Sequence, residues 1–208
     1  MINMKKHILL TLGCLTLLAA AAPAGQDQFA ASIKQARKEA GLTSAQLDST
    51  LAALNALVGQ KKGDLNPAYQ AFRQEIPKTQ NAARSTSDRY ERMTKDRENY
   101  FADWQNTIQG INNKSLQKKA QKRLDAASKS YDRVEAALLT AREKFRPFLS
   151  DLTDIEKALS QDVTARGVKN MKSVVRSANW NYKFVANAIN DALKEMGKME
   201  EALSSEAT

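Results

Sequence analysis

From Leu124 to Leu159, apolar residues recur at spacings that alternate three and four. They are Leu124, Ala127, Tyr131, Val134, Leu138, Ala141, Phe145, Phe148, Leu152, Ile155 and Leu159. An unbroken 3-4 register predicts a long amphipathic helix that lays one stripe against partner helices. Two other stretches repeat the pattern. One runs from Tyr69 through Phe72, Ile76, Tyr90, Met93, Tyr100 and Trp104 to Ile111, with Thr79, Thr86, Arg97 and Thr107 making it wetter. The other runs from Val168 through Val175, Ala178, Tyr182, Val185, Ile189, Ala192 and Met196 to Leu203. A fourth, shorter stripe carries Phe29, Ile33, Ala36 and Ala40, then Leu47, Leu51, Leu54 and Val58.

These stripes predict helices over about 27–58, 66–110, 114–161 and 164–204. Gly41 reads as a C-cap, and Thr43 with Gln46 as a capping box, so the first helix is expected to break near 41–43. Asn66 reads as an N-cap with Pro67 at the first helical position, and Asn113 as the cap of the third helix. No alternating or β-branched run suggests a strand. The short connections force successive helices to run antiparallel, and the stripes are broader than a two-stranded seam requires. The predicted fold is all-α: one elongated, coiled-coil-like antiparallel four-helix bundle. If the second and third helices fold back near Asn112–Asn113, residues whose numbers total about 225 share one height. Pro77 and Pro147 then lie level, close to the expected break in the first helix. A waist is expected there, with Trp180 packing into it.

The N-terminal 24 residues change the picture of where the chain works. Lys5 and Lys6, the apolar run Ile8–Ala22 and the small residues Ala22-Pro23-Ala24 read as a signal peptide cleaved between Ala24 and Gly25. The run is too short to span a bilayer as a helix. Thr11-Leu12-Gly13-Cys14 loosely echoes a lipidation site, but the apolar run continues past Cys14. Export to the periplasm is therefore favoured over a lipid anchor. Cleavage would remove the only cysteine and the only histidine, His7. The remaining chain then has no disulfide, and no thiolate or imidazole for metal binding or nucleophile–base catalysis.

The formal net charge is +9, and loss of Lys5 and Lys6 would take two charges from it. That excess favours anionic partners. One cationic run, Lys114, Lys118, Lys119, Lys122, Arg123 and Lys129, is expected to pair with Glu195, Glu200, Glu201 and Glu206 at the end of the fourth helix. At the other pole, Lys61 and Lys62 in the first loop should meet Arg166, Lys169 and Lys172. These five are the candidate anion site. Aromatics do not interleave with these lysines, which argues against nucleic acid. Asp151 and Asp154 share a helical face but lack a third ligand, so no metal or cofactor is expected.

Several features resemble an uncharacterised bacterial family, domain of unknown function DUF2959. They are Gly63-Asp64-Leu65 before Tyr69, Trp104 ahead of Asn112-Asn113-Lys114-Ser115-Leu116, Tyr131, and Ala141–Leu152 centred on Pro147-Phe148-Leu149. The resemblance implies an exported helical protein, often lipid-anchored in that family, with no established activity. This chain departs from the family in its weak lipidation site. The functional expectation is a non-enzymatic scaffold or interaction protein of the cell envelope, with an envelope protein or an anionic surface as partner. A periplasmic holdase-type chaperone and a polyanion or membrane-surface binder are the alternatives. No exposed apolar groove can be picked out from the pattern, no small-molecule substrate is implied, and no Gly-rich phosphate loop suggests an enzyme.

Overall fold

A computed structural model describes residues 25–205. The expected signal peptide, with Cys14 and Ala24, lies outside the described residues. Five helices follow in order: α1 (Gln26–Gly59), α2 (Asn66–Gln109), α3 (Lys114–Gln161), α4 (Ala165–Asn170) and α5 (Lys172–Ser205). No strand forms among the described residues. α3 alone has 48 residues, about 70 Å at 1.5 Å per residue. None of the described helices is long and apolar enough to cross a membrane.

Local chemistry sets the helix ends. The Asn113 side chain accepts from the backbone N–H groups of Ser115 and Leu116 at 3.0 and 3.1 Å. Thr164 caps α4 by accepting from the Gly167 N–H at 3.1 Å. At α2 the acceptor is Asp64 rather than Asn66: its carboxylate takes the Asn66 N–H at 2.9 Å and the side-chain amide at 2.8 Å. α1 runs through Gly41–Thr43 without the expected break. A single glycine inside a helix costs only about 0.5–1 kcal/mol relative to alanine. The buried stripe Ala36, Ala40, Thr43 and Leu47 continues across it and offsets that cost. Thr43 is not a cap; its hydroxyl reaches across to α2. The fourth rod does break, at Met171 between α4 and α5.

α1 packs closely on α2, α3 on α5, and α1 on α5, whereas α2 and α3 meet sparsely. The pairs Tyr69–Glu156, Tyr90–Glu135, Thr94–Tyr131 and Gln105–Gln121 fix the antiparallel register of α2 and α3. This register places Pro77 level with Pro147. Both helices continue through their prolines.

The buried apolar side chains form two clusters. Toward the loop end lie Leu54, Leu57, Phe72, Phe148, Leu152 and Ile155. Toward the termini lie Phe29, Ile33, Tyr100, Tyr131, Met196 and Met199. In the second cluster Phe29 stacks on Tyr100 with ring centroids 5.5 Å apart. Arg97, an odd residue for a seam, sets its guanidinium 4.9 Å from the Tyr131 ring and 5.2 Å from the Phe101 ring. Such cation–π contacts satisfy a charge that the seam could not otherwise bury.

Between α1 and α2 the wet seam is a ladder of hydroxyls. Thr43 donates to the Ala82 carbonyl at 3.0 Å and lies 2.8 Å from the Thr86 hydroxyl. Thr50 donates to the Gln46 carbonyl and lies 2.6 Å from the Thr79 hydroxyl. Gln46 donates to Glu75 at 2.6 Å, and the bond from Lys78, with that from Gln46, holds the carboxyl below its ordinary range. The acidic end of α5 is anchored differently from expectation. Glu200 takes Arg37 of α1 at 3.0 Å, and Glu195 takes Arg133 at 3.3 Å, beyond the Lys114–Lys129 run. Antiparallel packing sets α1 as well as α3 against α5, and the α1 arginine reaches Glu200.

Candidate ligand cleft at the bundle waist

The gap between the two apolar clusters follows from side-chain size. On α2, no residue between Thr79 and Met93 is buried. Its sequence there, Asn81-Ala82-Ala83-Arg84-Ser85-Thr86-Ser87, is mostly small. Side chains of that length cannot reach α3 across a seam that Tyr69 and Phe72 hold open on one side and Tyr90 and Met93 on the other. The result is a cleft of about 600 Å3 opening between α2 and α3. That lies within the range of small-molecule pockets, about 300–1,000 Å3.

Leu138, Phe145 and Leu149 of α3 form one wall, and Ala83, Thr86 and Tyr90 of α2 the other. Val185, Ile189 and Ala192 of α5 close it from behind, with Ala40 of α1. Two polar bridges bound it along the axis. At one end, Glu156 accepts from the Tyr69 hydroxyl at 3.2 Å and faces Arg73 at 3.3 Å. At the other, the Tyr90 hydroxyl donates to Glu135 at 2.8 Å. Burial and that bond push the Tyr90 phenol up to about 12. Between the bridges, no hydrogen bond or ion pair joins α2 to α3 among the described residues. The α3 side chains that line the slot run from Leu138 to Lys157, which makes it about 25–30 Å long.

The mouth is cationic. Arg142 and Arg146, one turn apart on α3, line it and are exposed. Neither makes an ion pair among the described residues. Asp154 and Lys157 line the cleft further along α3. Asp151 faces the other way, accepting from Ser177 at 2.8 Å and Asn181 at 2.7 Å of α5. No cluster of three or more metal-ligating side chains occurs among the described residues.

The five cations singled out from the sequence are all exposed. The first loop and the α3–α4 loop share a shallow recess of about 130 Å3. Lys61 and Lys62 line it together with Val163, Thr164 and Ala165. Arg166, Lys169 and Lys172 belong to α4 and the start of α5 and do not line this recess. Asp64 stands beside the two lysines, its carboxyl held below the usual range by the Asn66 N–H and side-chain amide. Gly25 begins the described chain as the left-handed N-cap of α1, at φ 85°.

The waist itself differs from expectation in two ways. α1 contributes no break to it, and Trp180 does not pack there but is 60 % exposed. Trp180 lies on the face of α5 opposite the buried stripe of Ala178, Val185 and Ile189, so the helical period carries it into solvent. Sequence reasoning missed the cleft because each residue lining it fits an ordinary seam. The signal was present as the small-residue run of α2 lying opposite small residues of α1.

Fold and cleft together define the class: a long all-α bundle with an apolar slot along one loosely packed seam. The chain belongs to the family described as Protein of unknown function (DUF2959), whose pattern matches residues 23–203. No curated protein matches the chain, and no solved structure matches it.

Proposed function

We propose that the chain is a non-enzymatic binding protein of the cell envelope that holds the apolar chain of an anionic amphiphile in the waist cleft. One observation carries this reading: an apolar slot about 25–30 Å long with two arginines at its mouth that make no ion pair among the described residues. An acyl-like chain fits the length and lining, and each buried methylene contributes about 0.8 kcal/mol. Arg142 and Arg146 suit the anionic head, since guanidinium groups bind carboxylate and phosphate in a fixed fork. The envelope location rests on the n-region, apolar run and Ala22-Pro23-Ala24 of the first 24 residues.

The test is displacement of a fluorescent naphthylamine probe by a long-chain fatty acid. Ala83→Phe, which fills the slot from α2, should abolish probe binding without lowering thermal stability. Arg142→Gln with Arg146→Gln should weaken the fatty acid but not the uncharged probe. Probe binding that survives Ala83→Phe would place the ligand elsewhere and end this reading.

The same opening favours a second reading, a holdase that shelters an exposed apolar segment, since Leu139 at the mouth is 44 % exposed. Near-stoichiometric suppression of aggregation of an unfolded membrane protein, lost in Ala83→Phe, distinguishes it from simple amphiphile carriage.

A further inference from the structure

The outward face of α5 carries a feature that the cleft does not explain. Trp180 and Phe184 are 60 % and 42 % exposed and meet edge-to-face, with ring centroids 5.2 Å apart. Two large aromatic side chains, one turn apart and directed away from the core, expose apolar surface that the fold gains nothing from. The charges that α5 itself carries around them are cationic, while Asp151 of α3, on the flank of Phe184, is held by Ser177 and Asn181. From Val163 to Asn190 the chain has no aspartate or glutamate. On the helical period, Lys172, Arg176 and Lys183 fall on the outward side with Trp180, and all three are exposed. Lys169, on α4, continues this run of cations toward the loop end. The opposite side of α5 is fully engaged: Ala178 and Val185 are buried, Asn179 bonds Asn55 of α1, and Tyr182 donates to Asp48. Asp48, the acidic group facing this region from α1, is thereby occupied. Asp191 lies almost two turns beyond Phe184.

We infer that this face docks the bundle onto an anionic lipid bilayer, with Trp180 and Phe184 entering the headgroup boundary and Lys172, Arg176 and Lys183 pairing with lipid phosphates. Aromatic rings suit the membrane–water interface because one region there is apolar and the other wet. Basic residues around them are drawn to the negative surface. A soluble polyanion would use the cations but leave both rings without a partner. The bilayer accounts for both. This inference stands apart from the cleft, which opens on the α2–α3 seam.

The experiment uses the protein purified from its host, with vesicles of phosphatidylcholine alone or mixed with phosphatidylglycerol. A bromine-labelled lipid quenches Trp180; Trp104, buried in the core, stays bright. Quenching is expected only with phosphatidylglycerol present and should weaken as salt rises. Trp180→Ser with Phe184→Ser should abolish binding to phosphatidylglycerol vesicles, read by co-sedimentation, while the helical circular dichroism is unchanged, since both positions are exposed. Each of Arg176→Gln and Lys183→Gln should weaken vesicle binding about fivefold. Equal quenching on neutral vesicles overturns the inference. So does phosphatidylglycerol-dependent binding that the double serine variant retains. Absence of vesicle binding, or binding to soluble polyphosphate alone, overturns it as well and leaves a plain polyanion surface.

Discussion

Leu138 and Leu152 lie on the same stripe of α3, four turns apart, and truncating each should have very different consequences. Leu152 is fully buried in the loop-end cluster, beside Phe148 and Ile155. Leu152→Ala removes three buried carbons, worth about 2.4 kcal/mol at 0.8 kcal/mol each. It also leaves an enclosed void, and the total should reach about 3–4 kcal/mol. Leu138 is half-buried and borders the cleft, so its truncation widens an opening that exists already. With no enclosed void and only part of the transfer term, Leu138→Ala should cost about 1 kcal/mol. Urea unfolding followed by circular dichroism reads both losses, with the slope of the transition expected to be common to both variants. For a chain of this size each kcal/mol moves the melting temperature about 2–4 °C. Equal losses at the two sites would mean that α2 and α3 close around Leu138 in solution, and the cleft argument would fail.

Glycines give a second contrast. Gly41→Ala should stabilise the protein by about 0.5–1 kcal/mol, because it sits inside α1 with open space around an added Cβ. Gly167→Ala should instead destabilise by more than that gain, because its Cβ would fall 2.1 Å from the Asp162 carbonyl oxygen. Thermal melts rank the two. Asn113→Ala should cost about 1 kcal/mol through loss of the α3 cap, and hydrogen exchange should rise at Ser115 and Leu116 first. The Tyr90 and Tyr182 phenols are both pushed up to about 12, Tyr90 chiefly by burial and Tyr182 chiefly by its bond to Asp48. Because folding favours the protonated phenol, their contribution to stability is full below pH 10 and is lost as pH rises from about 10 to about 12. Burial also raises the Tyr69 and Tyr131 phenols, so ultraviolet titration should show at least four late tyrosines, and Tyr90→Phe should remove one.

The helices were legible because period and length agree along each stripe, and the cap at Asn113 obeys simple chemistry. The residues behind the family resemblance are of the same kind. Gly63 takes φ 87°, Leu65 and Trp104 are 5 % exposed, and Tyr131 and Phe148 are buried. They are turn and packing positions, which specify a fold. The break near Gly41 was misread because local cap signals were weighed without the packing that continues past them. Trp180 was misread because a bulky apolar residue was assigned to the core against its own helical phase. The cleft was missed for a deeper reason. Whether a small side chain leaves a void depends on what faces it, and Ala83 faces Leu138 and Phe145 only once α2 and α3 are in register.

The register of α1 against α2 has its own molecular origin, in the threonine ladder. Apolar seams with a seven-residue repeat tolerate sliding, because one leucine replaces another. Thr50 already donates to the Gln46 carbonyl and Thr43 to that of Ala82, so in their pairs Thr79 and Thr86 are the donors. Moving α1 by one repeat in one direction would set Thr43 against Met93 and Leu57 against Thr79. In the other it would set Thr50 against Phe72 and Ala36 against Thr86. Either slip preserves a single threonine pair and strips a hydroxyl of its acceptor across the seam, a penalty of about 1–3 kcal/mol where that group stays buried. The hydroxyls thus act as a vernier, selecting one alignment from several that greasy side chains alone would leave nearly equal.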